Sequence, residues 1–284
     1  MRALLWDIDG TLTKGSGAGN KAVGKALEEM PEARRAVDGM RFDGMTDPAI
    51  LRALLAVQLE FLQDYPPGTR VGMLTRTREQ AVALAAMTPE ERLADVRSDE
   101  LAAALAGYLI ELERLCSEGA YQQHPGIGAL IPLLDRHHSA ANGEAHPLRA
   151  LGHHERVVLG LATGNVERGA QLKLESVRLH GHFRFGGYAD DGEDRVEIVR
   201  AAWRRAQALG ATEAVVIDDA VKGVVAARAA GLPVVGVCTG RKDDGFDPMR
   251  ELAAAGADFV VQDFSDAERS LALLLGPLPA VRRP

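Results

Sequence analysis

The chain has 284 residues, of which 46% are hydrophobic and 26% are charged. This balance is typical of a folded globular protein and excludes a disordered chain, a collagen and a coiled coil. The formal net charge is −7, whereas nucleic-acid-binding proteins usually carry a basic excess or a basic cluster. We therefore expect no nucleic-acid partner.

Membrane and redox signals are also missing from the sequence. The apolar run from Ala3 to Trp6 is too short for the core of a signal peptide, and no uncharged stretch is as long as a membrane span. We expect a cytoplasmic protein with no membrane partner. Cys116 and Cys238 lie far apart and lack a metal-binding spacing, so we expect two buried thiols and neither a disulfide framework nor a zinc site.

Short apolar runs alternate with helical patterns over most of the chain. The predicted strands are residues 3–6, 156–162, 183–187, 213–217, 233–238 and 258–262. The predicted helices are residues 127–138, 166–179, 193–209, 221–230 and 266–275. This alternation predicts an α/β fold with a doubly wound, Rossmann-like parallel sheet that is covered by helices on both faces.

Residues 20 to 118 interrupt the alternation, because they are rich in Ala, Leu, Glu and Arg at helical spacing. Asp47-Pro48 and Thr88-Pro89 are typical helix starts, and at least three helices follow from the pattern. We expect a helical domain at 15–120, inserted into an α/β core formed by 1–14 and 121–284. Residues 139–155 contain Asn-Gly, Pro and several His without periodicity, which predicts a surface loop.

The first predicted strand leads directly into Asp7-Ile8-Asp9-Gly10-Thr11. Ligands of parallel α/β folds bind at the carboxyl edge of the sheet, where these two carboxylates would lie. If the strand continued, its period of two would put Asp7 and Asp9 on the same side, and Gly10 would permit a turn. Taken alone, the pattern fits a polar strand-to-turn junction better than a catalytic site.

Other segments change that interpretation. VVLGLATGN ends a strand with Thr163, Gly164 and Asn165 before a helix, and VVIDDAVKG ends another strand with Asp218 and Asp219. In this order and strand context the chain resembles the haloacid dehalogenase superfamily, whose phosphatase members begin with Asp-x-Asp-Gly-Thr. The resemblance covers residues 1–14 and about 121–240.

The last of these motifs resembles the form found in the branch that contains β-phosphoglucomutase and phosphoglycolate phosphatase. Ala220 stands where that branch often has Ser, which removes a hydroxyl but leaves both carboxylates. The family also has a basic residue before this motif, usually Lys, for which the chain offers Arg195. Lys173 is the other candidate, but it lies about 12 Å along a helix from Asn165. We therefore expect Arg195 at the site and Lys173 outside it.

The acidic residues predict a metal site. If the first and fourth motif strands are neighbours, a sheet spacing of about 4.8 Å brings Asp7, Asp9, Asp218 and Asp219 into one cluster. Two charges about 4 Å apart repel by about 4 kcal/mol at an effective dielectric near 20, so the cluster needs a cation or protons. Carboxylates without His or Cys favour Mg²⁺ over Zn²⁺.

The resemblance implies a role for each site residue. Asp7 and Asp219 would bind Mg²⁺ through their carboxylates, Asp9 through its backbone carbonyl, and Asp218 indirectly. Asp7 would attack phosphorus to form an aspartyl phosphate, and Asp9 would act as general acid and then general base. The phosphoryl oxygens would be bound by the remaining predicted site residues: Thr163, Gly164, Asn165 and Arg195.

These roles imply a Mg²⁺-dependent phosphatase that acts on a small phosphorylated metabolite, with the helical insert as a cap that selects the substrate. A phosphomutase shares every motif and stays an alternative, as does a catalytically silent relative that binds a phosphorylated ligand. Asp9 argues against carbon–halogen chemistry, since the dehalogenases lack this second acid. Thr46 and Arg52 could contact the substrate, although a simple capped helix start explains that segment better.

Two further patterns have ordinary explanations. The glycine-rich segment from Gly15 to Asn20 is spaced wrongly for a dinucleotide-binding loop and fits a flexible linker into the insert. Six histidines occur in pairs within polar loops or at helix ends, where surface histidines are expected, at 137, 138, 153, 154, 180 and 182.

Overall fold

The computed structural model describes residues 1–66, 68–139, 156–240, 245 and 247–277. The chain divides into two compact units, Met1–Lys14 with Tyr121–Pro284, and Gly15–Ala120. We call these the α/β unit and the helical unit. Most of the loop predicted at 139–155 lies outside the described residues, as do His153, His154 and the side chains of His137 and His138.

The α/β unit is built on a six-stranded parallel sheet. Its strands in chain order are β1 (Arg2–Trp6), β4 (Val157–Ala162), β5 (Phe185–Gly187), β6 (Glu213–Asp218), β7 (Val234–Val237) and β8 (Phe259–Val261). Their order across the sheet is β5-β4-β1-β6-β7-β8. The predicted α/β fold class is therefore confirmed.

The strands are apolar because helices cover both faces of the sheet. All five residues of β1 are buried, as are all six of β4, which is the continuous pattern of a parallel sheet rather than an alternating one. Among the described residues, the helices of the α/β unit are α7 (Ile127–Ser139), α8 (Glu167–Ser176), α9 (Arg195–Ala208), α10 (Val221–Ala229), α11 (Pro248–Ala254) and α12 (Ala267–Leu275). Helix α11 was not predicted from the sequence pattern.

The helical unit contains six helices among the residues that the structure describes. They are α1 (Ala18–Ala26), α2 (Pro31–Val37), α3 (Asp47–Glu60), α4 (Arg78–Ala86), α5 (Pro89–Asp95) and α6 (Ser98–Ser117). The Thr46 hydroxyl accepts a hydrogen bond from the Ala49 amide at 3.3 Å and caps α3, which supports the simple helix start. Thr88 and Glu91 form a capping box at the start of α5.

Two short strands mark the points where the chain leaves and re-enters the α/β unit. Strand β2 (Thr13–Lys14) pairs antiparallel with β3 (Gln122–Gln123), and Lys14 lies opposite Gln122. The two crossings therefore run side by side. Within the described part of the chain, no helix combines the length and apolarity needed to cross a membrane.

Candidate active site

The turn after β1 sets the positions of the first two acids. The strand ends at Trp6, and the Asp7 amide still donates to the Ile217 carbonyl at 2.9 Å, after which the chain turns at Gly10 with a φ of 88°. The period-two placement of Asp7 and Asp9 therefore does not apply, because the strand stops before them. Asp7 is buried, whereas the side chain of Asp9 is 47% exposed.

Asp7, Asp218 and Asp219 each offer a carboxylate oxygen to one group whose members lie within 4.8 Å of one another. The sheet brings them together, because β1 and β6 are neighbours and Trp6 lies opposite Ile217. The residues that follow these two positions therefore meet at the carboxyl edge. The carboxylate of Asp9 is not part of this group.

Burial raises the pKa of all three acids, and repulsion from neighbouring acids adds to this for Asp7 and Asp219. Burial, then the charge of Asp218, raises the pKa of Asp7 from 3.8 to about 7, although Arg195 and the Thr163 hydroxyl act in the opposite direction. Burial, then the charges of Asp218 and Asp7, raises the pKa of Asp219 well above its ordinary value. The protein alone therefore does not neutralise this cluster, and its carboxylates favour an added cation.

Arg195, the first residue of α9, lies among these acids. Its Nη2 donates to Asp218 Oδ2 at 2.5 Å, and its Nη1 lies 3.4 Å from Asp7 Oδ1. The side chain is only 10% exposed, so the guanidinium is held inside the cluster. Asp218 also accepts the Ala220 amide at 2.8 Å, which fixes its carboxylate on the Arg195 side.

Asp219 has different surroundings. Its Oδ1 accepts the Thr11 hydroxyl at 2.9 Å, and among the residues that the structure describes no cation pairs with it. A Cβ on Gly10 or Gly240 would lie 2.3 Å or 1.8 Å from Asp219 Oδ2, so both positions need glycine for this side-chain placement. Thr11 and Gly240 were not singled out from the sequence.

Thr163 and Asn165 follow β4 and lie beside Asp9. Thr163 is fully buried, and its hydroxyl accepts the Asn165 Nδ2 group at 2.8 Å. The same Nδ2 group donates to Asp9 Oδ2 at 2.8 Å. Gly164 lies between these two residues, in the turn that leads into α8. The structure therefore brings the predicted phosphate-binding segment next to the predicted acids.

Lys173 corrects one expectation. Its Nζ donates to Asp9 Oδ2 at 2.6 Å and also to Asn165 Oδ1, so this lysine lies at the site rather than outside it. The helical-rise argument was wrong, because helical side chains point back toward the N-terminus and a long lysine stem recovers much of the axial distance. Within the described part of the chain, the site thus contains two buried cations, Arg195 beside Asp7 and Lys173 beside Asp9.

The donor set fits a divalent cation that prefers oxygen. The three clustered carboxylates offer oxygens only, and burial together with repulsion between the acids raises the pKa values of Asp7 and Asp219. Arg195 pairs more closely with Asp218, at 2.5 Å, than with Asp7, at 3.4 Å, so Asp7 and Asp219 are the better candidates to hold the ion directly. Such a set suits Mg²⁺ better than Zn²⁺.

Comparison with known proteins identifies the fold. No protein-family model and no curated protein sequence matches the chain. Solved structures do match: a hydrolase from Pseudomonas syringae is 23% identical with a TM-score of 0.55, and the match covers 97% of this chain and 100% of that one. A haloacid dehalogenase-like hydrolase from Streptococcus pneumoniae is 15% identical with a TM-score of 0.52, over 95% and 97% of the two chains.

A third match is CbbY from Rhodobacter sphaeroides in complex with phosphate, at 19% identity and a TM-score of 0.52 over 93% of this chain and 95% of that one. These similarities extend over almost the whole of each chain. The chain therefore has the fold of the haloacid dehalogenase-like hydrolases.

Proposed function

We propose that this protein is a Mg²⁺-dependent phosphatase that hydrolyses a small phosphorylated metabolite through an aspartyl-phosphate intermediate. The observation that carries the proposal is the cluster of Asp7, Asp218 and Asp219 at the carboxyl edge of the sheet. Similarity of fold supports it, because CbbY, a protein of this fold, binds phosphate and also xylulose-(1,5)-bisphosphate.

In the first step, Asp7 attacks phosphorus. A bond forms between a carboxylate oxygen of Asp7 and phosphorus, the bond from phosphorus to the leaving oxygen breaks, and Asp9 gives its proton to that oxygen. Asp7 suits this role because it is buried in the cluster, whereas the more exposed Asp9 can reach a leaving group.

In the second step, water releases phosphate. Asp9 takes a proton from the water as the water oxygen attacks phosphorus, and the bond between Asp7 and phosphorus breaks. This step restores the carboxylate of Asp7 and the proton of Asp9. One carboxyl group thus serves as acid and then as base.

The other residues bind and stabilise the phosphoryl group. Thr163 and the amides of Gly164 and Asn165 are donors at the start of α8, where the helix dipole favours an anion. Arg195 offers a planar guanidinium with several donors to the oxygens of the transferring group. A bound Mg²⁺, held by Asp7 and Asp219 with the Asp9 carbonyl, would supply further charge stabilisation.

We also propose that the helical unit, Gly15–Ala120, is a cap that selects the substrate. This role is based on the resemblance to the haloacid dehalogenase superfamily, in which a helical cap is inserted directly after the first motif, as the helical unit is here. Its part in the reaction would be to choose among phosphorylated metabolites and to exclude water.

The test is phosphate release from a panel of phosphorylated metabolites, with Mg²⁺ and with EDTA. We expect Mg²⁺-dependent turnover of at least one small phosphate ester by the wild-type protein and none by Asp7→Asn. Fast isomerisation of sugar phosphates with slow hydrolysis would indicate a mutase instead. Binding of phosphorylated ligands without any turnover would indicate a catalytically silent protein.

A further inference from the structure

Lys173 is a buried cation that the proposed chemistry leaves without a role. It lies on α8, its side chain is 3% exposed, and Arg195 already occupies the position beside Asp7. A buried ammonium is costly unless charged or polar partners compensate for its lost hydration. Its partners therefore indicate what it does.

Lys173 contacts the proposed acid and base and a residue that holds it. Its Nζ donates to Asp9 Oδ2 at 2.6 Å and to Asn165 Oδ1, and it lies 5.6 Å from the centre of the Tyr121 ring. A cation within about 6 Å of an aromatic ring is attracted to its face. The ammonium is thus fixed from three directions.

The two oxygens of Asp9 differ as a result. Oδ2 accepts from Lys173 at 2.6 Å and from Asn165 Nδ2 at 2.8 Å. Among the residues that the structure describes, nothing donates to Oδ1. Because charge-assisted hydrogen bonds hold a carboxylate firmly, Oδ2 is an anchored atom and Oδ1 is the one left for proton transfer.

We propose that Lys173 is a positioning residue that anchors Asp9 Oδ2, so that Oδ1 carries the proton to the leaving oxygen and later accepts the proton of water. This inference rests on the proposed phosphatase function and adds to it a residue that acts through Asp9. A displacement of about 1 Å in a reacting group can cost about 100-fold in rate, so a fixed Asp9 matters even though Lys173 does not touch the substrate.

The test uses a matched set of substrates that differ mainly in the leaving group: 4-nitrophenyl, phenyl and 4-methoxyphenyl phosphate. The 4-nitrophenol group leaves readily without a proton, whereas the phenol and 4-methoxyphenol groups need one. We expect Lys173→Met to lower kcat/KM for 4-methoxyphenyl phosphate by about 100-fold and for 4-nitrophenyl phosphate by less than about 10-fold. The ratio kcat/KM is the measure because it reports the step in which the leaving group departs.

A double-mutant cycle separates positioning from a structural role. If Lys173 acts through Asp9, then Lys173→Met should cause less than about a 2-fold further loss in an Asp9→Asn protein. Gln171→Met is the matched control, since Gln171 lies on the same helix and its amide pairs with Glu175 at 2.7 Å rather than with Asp9. This control should keep the wild-type dependence on the leaving group.

Several outcomes would overturn the inference. Lys173 does not act through Asp9 if Lys173→Met lowers kcat/KM equally for all three substrates or for none of them. The same conclusion follows if Lys173→Met causes its full loss of kcat/KM in the Asp9→Asn protein as well. Lys173→Gln keeps a donor toward Asp9 without the charge, and it should give an intermediate dependence if Lys173→Met proves too unstable to assay. Failure of the proposed function is a separate result, in which the wild-type protein releases no more phosphate than Asp7→Asn.

Discussion

At the scale of single residues, the proposed chemistry depends on Asp7 being the nucleophile as well as a metal ligand. Asp7→Asn keeps the volume and removes the charge, so it should relieve repulsion from Asp218 while removing the attacking oxygen. We expect loss of phosphate release by about 10⁴-fold or more, with the fold retained. Steady-state assays and circular dichroism check both parts. Retention of more than a few per cent of wild-type turnover would contradict covalent catalysis through Asp7.

Asp218 and Asp219 are adjacent but have different partners, and this difference predicts different phenotypes. Arg195 pairs with Asp218, whereas Asp219 has the Thr11 hydroxyl and no cation among the described residues. Asp219→Asn should therefore raise the Mg²⁺ concentration for half-maximal activity by at least about 10-fold, as loss of a charged ligand partner does. Asp218→Asn should mainly lower kcat, because it frees Arg195. Titration of activity with Mg²⁺ measures both quantities, and equal shifts of the two Mg²⁺ titrations would refute the assignment.

At the scale of elements, the strands and helices of the α/β unit could be predicted because each buries a continuous apolar run or stripe. The short pieces were missed for the same physical reason. Strands β2 and β3 have two residues each, and α11 has seven, so none of them shows a measurable period. Their existence depends on pairing and packing with distant parts of the chain.

Lys173 shows how a local argument can fail at this scale. Helical rise alone predicted that Lys173 lies outside the site, but the pattern of buried residues on its helix indicates the opposite. Val166, Ala170 and Val177 form a buried stripe at helical spacing, and Lys173 lies within that stripe. A lysine on the apolar face of a helix must find a buried partner, and this requirement could have predicted its contact with a carboxylate.

The loop after β7 also determines the geometry of the site. A Cβ at Gly240 would lie 1.8 Å from Asp219 Oδ2, so Gly240→Ala must displace that carboxylate. We expect a higher Mg²⁺ concentration for half-maximal activity and a lower kcat, with little loss of stability because the displaced group is a side chain. Gly181→Ala is the control, since its Cβ would meet nothing within 4 Å. An unchanged Mg²⁺ titration for Gly240→Ala would mean that Asp219 is not a ligand.

At the scale of the whole molecule, the acid cluster should make stability depend on pH. The folded-state pKa of Asp7 is raised from 3.8 to about 7, so the folded protein binds more protons than the unfolded chain between these values. Its free energy of unfolding should therefore fall as pH rises through this window. Thermal unfolding in EDTA between pH 5 and pH 8 measures this decrease in stability, and the decrease should be smaller in Asp7→Asn.

Added Mg²⁺ extends the same measurement. The ion binds ionised carboxylates of the folded state, so it should raise Tm more at pH 8 than at pH 5, where Asp7, with its pKa raised to about 7, holds a proton. Asp219→Asn should weaken this stabilisation. A Mg²⁺ effect of equal size at both pH values, or one that persists in Asp219→Asn, would show that the ion binds elsewhere.

The division of the chain into two units permits a direct test of the proposed cap. Lys14 lies opposite Gln122 in an antiparallel pair, so their Cα atoms are about 5 Å apart and a linker of about three residues can replace Gly15–Ala120. The acids, Thr163, Lys173 and Arg195 all belong to the α/β unit that remains.

If the helical unit only selects the substrate, the shortened protein should still hydrolyse 4-nitrophenyl phosphate. Its preference for the best metabolite over this generic ester should fall by at least about 10-fold, the discrimination that a single pocket contact provides. Measurement of kcat/KM for both substrates in the full-length and shortened proteins gives this ratio, and circular dichroism verifies that the α/β unit has kept its fold. A folded, shortened protein that lost both activities equally would place residues of the helical unit in the chemistry itself.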